Sequence, residues 1–462
     1  MKVYIVNSTA IKFPITFIIA LLTGLGFLIV FPVISKNPLF LLILPLAEIF
    51  FLFLLIKPKE MLAGILLVRP ALDLVLEHTK ITVHGVAFGA GAGLNLTVIF
   101  LAILFKFSNP GHFKLNVIIK WWILYLFLLF ISVCHSPFKG TGIHSLIDNM
   151  TYFAMLIIPL LIVKTQDDFK YWIKIIAASF ILPVIVGNID LFVWHGQYFP
   201  DSGQRIAGSF AHPNILAFFI SFGLTFYFYF LNSKLFKLSQ IKLYIIMAFM
   251  LNMLILLFAT KTRNAWIACF IGFVIYGFLN DKKFLLILLF ITPFSLLIPS
   301  IHQRVINVFD SSTAVDVNYQ GINSYQWRIE MWKSCIPMIL QKPLQGYGLT
   351  SFKPMSADFS TVGENGAHNV YLELCFETGI FGFLAYVLIF LSLLKIFWKR
   401  IVKWSDSQNS KLAAIVFGYI LSYMIICSAD NLMYYLAFNW YVWFFLGLLL
   451  KQMEIERAKV SV

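Results

Sequence analysis

A chain of 462 residues with 60% apolar residues, 12% charged residues and a mean hydropathy of +0.86 is not built of soluble domains. Its formal net charge of +14 invites a nucleic-acid reading, but the Lys and Arg residues crowd alternate short loops between apolar runs. That is the positive-inside pattern of a membrane protein, and it excludes nucleic acid as the partner.

Runs of about 20 apolar residues cross a bilayer as helices, because a helix satisfies its own backbone hydrogen bonds. Fourteen candidate runs occur, near 15–34, 38–56, 60–76, 83–105, 117–134, 149–163, 171–195, 213–231, 241–259, 264–280, 284–299, 377–397, 411–427 and 432–451. The first is too long for the apolar core of a signal peptide and is read as a span. The third is short and carries Arg69, read as a packed and paired structural residue; the sixth and eleventh are also short. The expected fold is an all-α polytopic membrane protein with about 14 transmembrane helices and a range of 12–14. Residues 1–299 form an N-terminal bundle of about 11 spans, 300–368 a large extracytoplasmic loop, and 369–462 the C-terminal transmembrane helices. With the N-terminus inside, the inner segments hold 23 Lys and Arg and the outer ones 11, so both termini are expected in the cytoplasm. Within the long loop, Trp327, Met331, Trp332, Cys335, Ile336 and Ile339 recur at helical spacing, which predicts an amphipathic helix on the membrane surface or capping the bundle. No internal repeat stands out.

The residues able to do chemistry gather at the outer boundary. Arg205 lies in DSGQRIAGSFAHPN, Arg263 in ATKTRNAW and Arg328 in the long loop. Arginines here run against the positive-inside bias, and a bound polyanion would explain them, since guanidinium grips phosphate oxygens with paired hydrogen bonds. Arg328 has an alternative in an ion pair with nearby Glu330 or in anchoring a lipid headgroup. His368 and Asn369 form an HN pair followed by Gly379 and Gly382, in the pattern H-N-x9-G-x-x-G, with a P-x-x-G-x-G element upstream at Pro343, Gly346 and Gly348. An imidazole titrates near neutral pH and can take a proton from a hydroxyl. Asn369 orients it or caps the coming helix, and the glycines let helices pack closely. His212, in HPN, is a second outer imidazole, read as structural or substrate-contacting. The paired carboxylates Asp167 and Asp168 lie on the cytoplasmic side, and no outer loop carries a DxD or ExD pair, so no metal is expected. No nucleotide motif occurs, so no cofactor is expected. The five cysteines show no CxxC, which predicts neither disulfide nor metal cluster.

The pattern carried by His368, Gly379 and Gly382 resembles the O-antigen ligase and O-antigen polymerase superfamily of bacterial envelope glycosyltransferases, over about residues 200–397. The resemblance implies a GT-C-like enzyme of the inner membrane with its large loop in the periplasm. It implies transfer of a glycan from undecaprenyl diphosphate, with inversion and without metal, to lipid A-core (a ligase) or to another lipid-linked glycan (a polymerase). Protein glycosylation, capsule and exopolysaccharide assembly are variants of the same chemistry. His368 matches the essential loop histidine and the expected base; Arg205, Arg263 and Arg328, the last with Trp332, match arginines that grip the diphosphate. Ligases of the family have about twelve spans, and the fourteen runs here suit a polymerase. A transporter or flippase of the same lipid-linked glycan is the reading from another class. It would place its polar groups near the midplane, whereas here they gather at one boundary.

Overall fold

The computed structural model describes residues 50, 52–79, 81–83, 86–109, 116–199, 203–297, 302, 326–403 and 408–460. The chain divides into two compact units, 1–65 and 66–462, and the site lies wholly in the second. The expected first span and most of the second lie outside the described residues, as does part of the long loop.

The helices are α1 (Pro58–Val68), α2 (Asp73–His78), α3 (Ala90–Ser108), α4 (Val117–His135), α5 (Lys139–Ile162), α6 (Gln166–Ser179), α7 (Ile181–Ile189), α8 (Pro213–Ser233), α9 (Gln240–Ala259) and α10 (Arg263–Asn280). They continue with α11 (Lys282–Ile291), α12 (Gln326–Gln341), α13 (Phe352–Phe359), α14 (Val370–Lys403), α15 (Gln408–Ile426) and α16 (Leu436–Val460). Among the described residues, eight helices are long and apolar enough to cross a membrane: α3, α4, α5, α6 continued by α7, α8, α9, α14 and α15. Two small antiparallel hairpins complete the fold, β1 (Ile81–Val83) with β2 (Val86–Phe88) and β3 (Gln197–Phe199) with β4 (Gly203–Arg205).

Local chemistry explains where several elements start and stop. Asn116 caps α4 by accepting from Ile119 N at 3.0 Å, and Ser239 and Asp281 do the same for α9 and α11. Thr165 and Asp168 form a capping box on α6, so one of the paired carboxylates has a structural task. The third apolar run does not continue as one helix. It breaks into α1, a 3-10 turn at Arg69–Ala71 and α2, where Pro70 lacks the N–H a continuing helix needs. The fourth run becomes helical later than its hydropathy, because its Val86–Phe88 stretch pairs with Ile81–Val83 as a hairpin and α3 starts at Ala90. The sixth is longer than its apolar stretch: α5 starts at Lys139.

Packing follows the buried faces. α16 runs along α5, where Trp440 Nε1 donates to Thr151 Oγ1 at 3.0 Å. α14 lies against both α4 and α15. α10 crosses α15 where Gly272 and Gly418 bring the backbones together, so a Cβ at Gly418 would strike the Gly272 carbonyl. α12 packs against α13 and α14. Its Met331 and Cys335 are buried with Phe352, Ala367 and Phe376.

Candidate active site

The HN pair sits in a short connection between α13 and α14, and both flanks of that connection are pinned. On one side Trp332 Nε1, from α12, donates to the Ala367 carbonyl at 2.7 Å. On the other, Ala367 N donates to Glu373 Oε1 at 2.7 Å, and Val370 N donates to the Cys427 carbonyl at 2.8 Å. Between these anchors His368 adopts a left-handed backbone with φ +47°. Histidine tolerates that region better than most residues, but it is sparsely populated, and such conformations persist where the surroundings over-determine them. Asn369 does not orient the ring through its side chain. Its Oδ1 accepts from Tyr371 N at 3.1 Å and Leu372 N at 3.2 Å, capping α14.

The turn presents His368 to a buried carboxylate. His368 Nδ1 lies 3.8 Å from Asp430 Oδ1, an ion-pair distance rather than a hydrogen bond. The imidazole is one-third exposed while Asp430 is 1% exposed. Trp327 packs edge-on against the imidazole at 5.2 Å between centroids. Asp430 accepts from Tyr435 OH at 2.9 Å, Asn431 N at 2.8 Å and Asn264 Nδ2 at 3.1 Å. Burial by itself would raise the Asp430 pKa, but the adjoining His368, the Arg328 charge and the Asn264 amide outweigh it and hold the carboxyl below its ordinary range. Asp430 is thus an anion fixed in place.

Arg328, from the first turn of α12, completes the group. Its guanidinium lies 5.5 Å from the Trp327 ring, and its buried Nε has no hydrogen-bond partner. Burial lowers its pKa, and the Asp430 charge and Tyr435 oppose that shift. Asp430 and Tyr435 are thus near enough to act on its charge, and Glu330 is exposed.

Arg205 differs from the expectation of a ligand held out for an anion. It is 7% exposed, and its side chain is engaged by the protein: Nε donates to the Thr260 carbonyl at 2.8 Å, and Nη2 donates to Asn214 Oδ1 at 2.7 Å and Thr262 Oγ1 at 2.8 Å. It also stacks over Phe199 at 5.0 Å. These bonds tie β4 to the start of α8 and to the turn that carries Arg263, the half-buried first residue of α10. His212 accepts from Asn214 N through Nδ1 at 3.1 Å, an N-cap of α8, and so serves structure. The turn and His368 are joined from below, since Asn264 bonds Asp430 and Asn214 Nδ2 donates to Tyr435 OH at 3.3 Å.

The glycines act on the turn rather than on helix pairs. Gly379 sits inside α14 at φ +67°, ψ −174°, a break that only glycine enters readily. A side chain there would strike the Leu344 carbonyl, and Ile380 N donates to the Pro343 carbonyl at 2.8 Å across the break. Tyr347 N and Gly348 N donate to the Phe376 and Glu377 carbonyls at 2.8 and 3.0 Å. The P-x-x-G-x-G loop and the G-x-x-G segment are thus two halves of one joint. It kinks α14 at Gly379. Gly382 abuts Thr378 of the same helix.

Asp430, Tyr435, Asn264 and Glu373 were not singled out in the sequence. Asp430 had a signal: it is the sole acidic residue of the otherwise apolar 408–453 stretch, and an ionisable group in such a stretch calls for a partner.

Comparison with known proteins agrees with the resemblance. Residues 246–387 match the family described as O-antigen ligase. That region holds Arg263, Arg328, His368 and both glycines, and ends before Asp430. A protein of Rickettsia conorii that carries a provisional polysaccharide ligase name is 29% identical over 178 residues, 35% of this chain. The matched part is 40% of that relative's length.

Proposed function

We propose that the protein is a membrane glycosyltransferase of the polysaccharide ligase or polymerase type, which passes a glycan from undecaprenyl diphosphate to an acceptor hydroxyl at the outer face of the inner membrane. The observation that carries the reading is His368, held in a left-handed turn 3.8 Å from the buried anion of Asp430 with Arg328 alongside. An O-antigen ligase match over a region that holds His368 and Arg328 supports it.

In this reaction an acceptor hydroxyl oxygen attacks the anomeric carbon of the donor sugar from the face opposite the diphosphate. The new glycosidic bond forms as the bond to the diphosphate oxygen breaks, and the anomeric centre inverts. His368 takes the hydroxyl proton through Nε2, the ring nitrogen turned away from Asp430. Asp430 balances the positive charge that the ring gains. Arg328 and Arg263 draw the diphosphate and neutralise the charge growing on its leaving oxygen. Arg205 positions the Arg263 turn. The donor bond already stores the energy, so the step needs no nucleotide.

The test is purified protein in nanodiscs with a defined undecaprenyl-diphosphate oligosaccharide, alone and with lipid A-core. A ladder of longer lipid-linked chains identifies a polymerase, and product that needs lipid A-core identifies a ligase. Transport of the donor across a liposome bilayer with no new glycosidic bond refutes the reading in favour of a transporter.

A further inference from the structure

One buried carboxylate beside this centre takes no part in the chemistry above. Glu373, in the first turn of α14, is 6% exposed, so it is shielded from a substrate. Its Oε1 accepts from Ala367 N at 2.7 Å and from Asn431 Nδ2 at 2.7 Å, and its Oε2 accepts from Tyr434 OH at 2.8 Å. A carboxylate has about four acceptor positions, and neutral donors fill three of them here.

The three donors share a place in the chain. Ala367 immediately precedes His368. Asn431 immediately follows Asp430 and also gives its backbone N–H to Asp430 Oδ1 at 2.8 Å. Tyr434 immediately precedes Tyr435, whose hydroxyl donates to the same Asp430 oxygen at 2.9 Å. One side chain thus ties the turn that carries the base to the 427–435 connection that carries its partner anion.

The base and the anion are not joined directly. His368 Nδ1 is buried without a hydrogen bond and stops 3.8 Å from Asp430 Oδ1. Their separation is therefore set by what anchors the two segments. Val370 N bonds the Cys427 carbonyl at the start of the connection, and Glu373 holds the part beyond Asp430. Gly366 shows how closely the chain is fitted around that tie. A Cβ there would stand 3.0 Å from Glu373 Oε1 and 3.1 Å from Asn431 Nδ2, so the glycine leaves the space in which their bond forms.

We propose that Glu373 is a positioning residue: its three hydrogen bonds, rather than its charge, set the distance and orientation of His368 relative to Asp430. Naming proton removal as the step it serves rests on the glycosyl-transfer reading; the tie between the two segments does not. Loss of the tie slows the chemical step and leaves donor binding unchanged, since Arg263 and Arg328 stand on other elements. Glutamine can take its place. Its Oε1 accepts from Ala367 N and Asn431 Nδ2, and its Nε2 donates to the Tyr434 hydroxyl oxygen.

The experiment measures kcat and donor KM in nanodiscs with the defined undecaprenyl-diphosphate oligosaccharide, and hydrogen–deuterium exchange by mass spectrometry on the same full-length proteins. Glu373→Ala is expected to lower kcat at least about tenfold, toward the roughly 10²-fold that a 1 Å misplacement costs, with donor KM within about twofold. Amide exchange is expected to rise at least about fivefold in both the 366–369 and the 428–435 segments. Glu373→Gln is expected to keep kcat within about threefold of wild type, with both segments protected. Gly366→Val removes no polar group and wedges Glu373 from Asn431; it is expected to reproduce the alanine pattern, and it carries the test where Glu373→Ala does not fold. A glutamine variant as slow as the alanine variant overturns the proposal in favour of a role for the charge. Unchanged kcat overturns it, as does a loss that appears in donor KM, or exchange that rises in one segment alone. Failure of the transfer reading is seen separately: where wild type forms no glycosidic bond, joint release of both segments retains the tie and removes the reaction it serves.

Discussion

Replacing Asp430 with Asn tests the reactive centre most directly, because the change is nearly isosteric and removes one charge. Two unit charges 3.8 Å apart interact by about 4 kcal/mol at an effective dielectric of about 20. The imidazole is one-third exposed, so solvent screening cuts this toward about 2 kcal/mol. Loss of that balance when His368 takes the proton lowers kcat by roughly 30-fold to 1,000-fold. Asparagine Oδ1 still accepts from Tyr435 and Asn431 N, and its amide meets the Asn264 amide donor to donor, so a modest loss of stability is also expected. The assay is single-turnover transfer from a defined undecaprenyl-diphosphate oligosaccharide in nanodiscs, with melting recorded on the same samples. A folded Asp430→Asn protein that keeps more than a third of wild-type kcat refutes the pairing of Asp430 with the base.

Other outcomes follow from the same geometry. His368→Ala is expected to lose roughly 10²–10⁴ in rate with donor binding intact, checked by turnover and by donor titration. Arg328→Lys keeps a charge but not the planar fork, so donor KM rises about tenfold or more; an unchanged KM argues against a diphosphate contact there. Gly379→Ala forces a side chain into the backbone break against Leu344, costing at least about 1–3 kcal/mol and lowering the melting temperature. The depressed Asp430 pKa makes a stabilising contribution that is complete above the ordinary carboxylate range. It is lost only as pH falls through the lower folded value, and the acid melting curve of Asp430→Asn lacks that component. Transfer is expected to survive chelators, and activity that vanishes with EDTA refutes the metal-free step.

Much of this molecule is written locally. Apolar runs of bilayer length dictate helices because the backbone has no other way to satisfy itself in lipid. Asn116, Thr165 and Ser239 stand at helix starts, and His368 with its downstream glycines carries the family resemblance. Hydropathy is blind to what breaks a run, so α1 and α2 were read as one span and the strand at Val86–Phe88 as part of another. Pairing is blind to sequence distance. Only the packing of α14 against α15 puts the His368 turn beside Asp430. The folded chain likewise separates arginines that look alike in sequence, turning Arg205 onto Thr260, Asn214 and Thr262 and leaving the Arg328 Nε unpaired beside the cleft. Residue type states what a group can do; burial and the identity of its neighbours, which are properties of the tertiary structure, decide which partner holds it and what remains for a substrate.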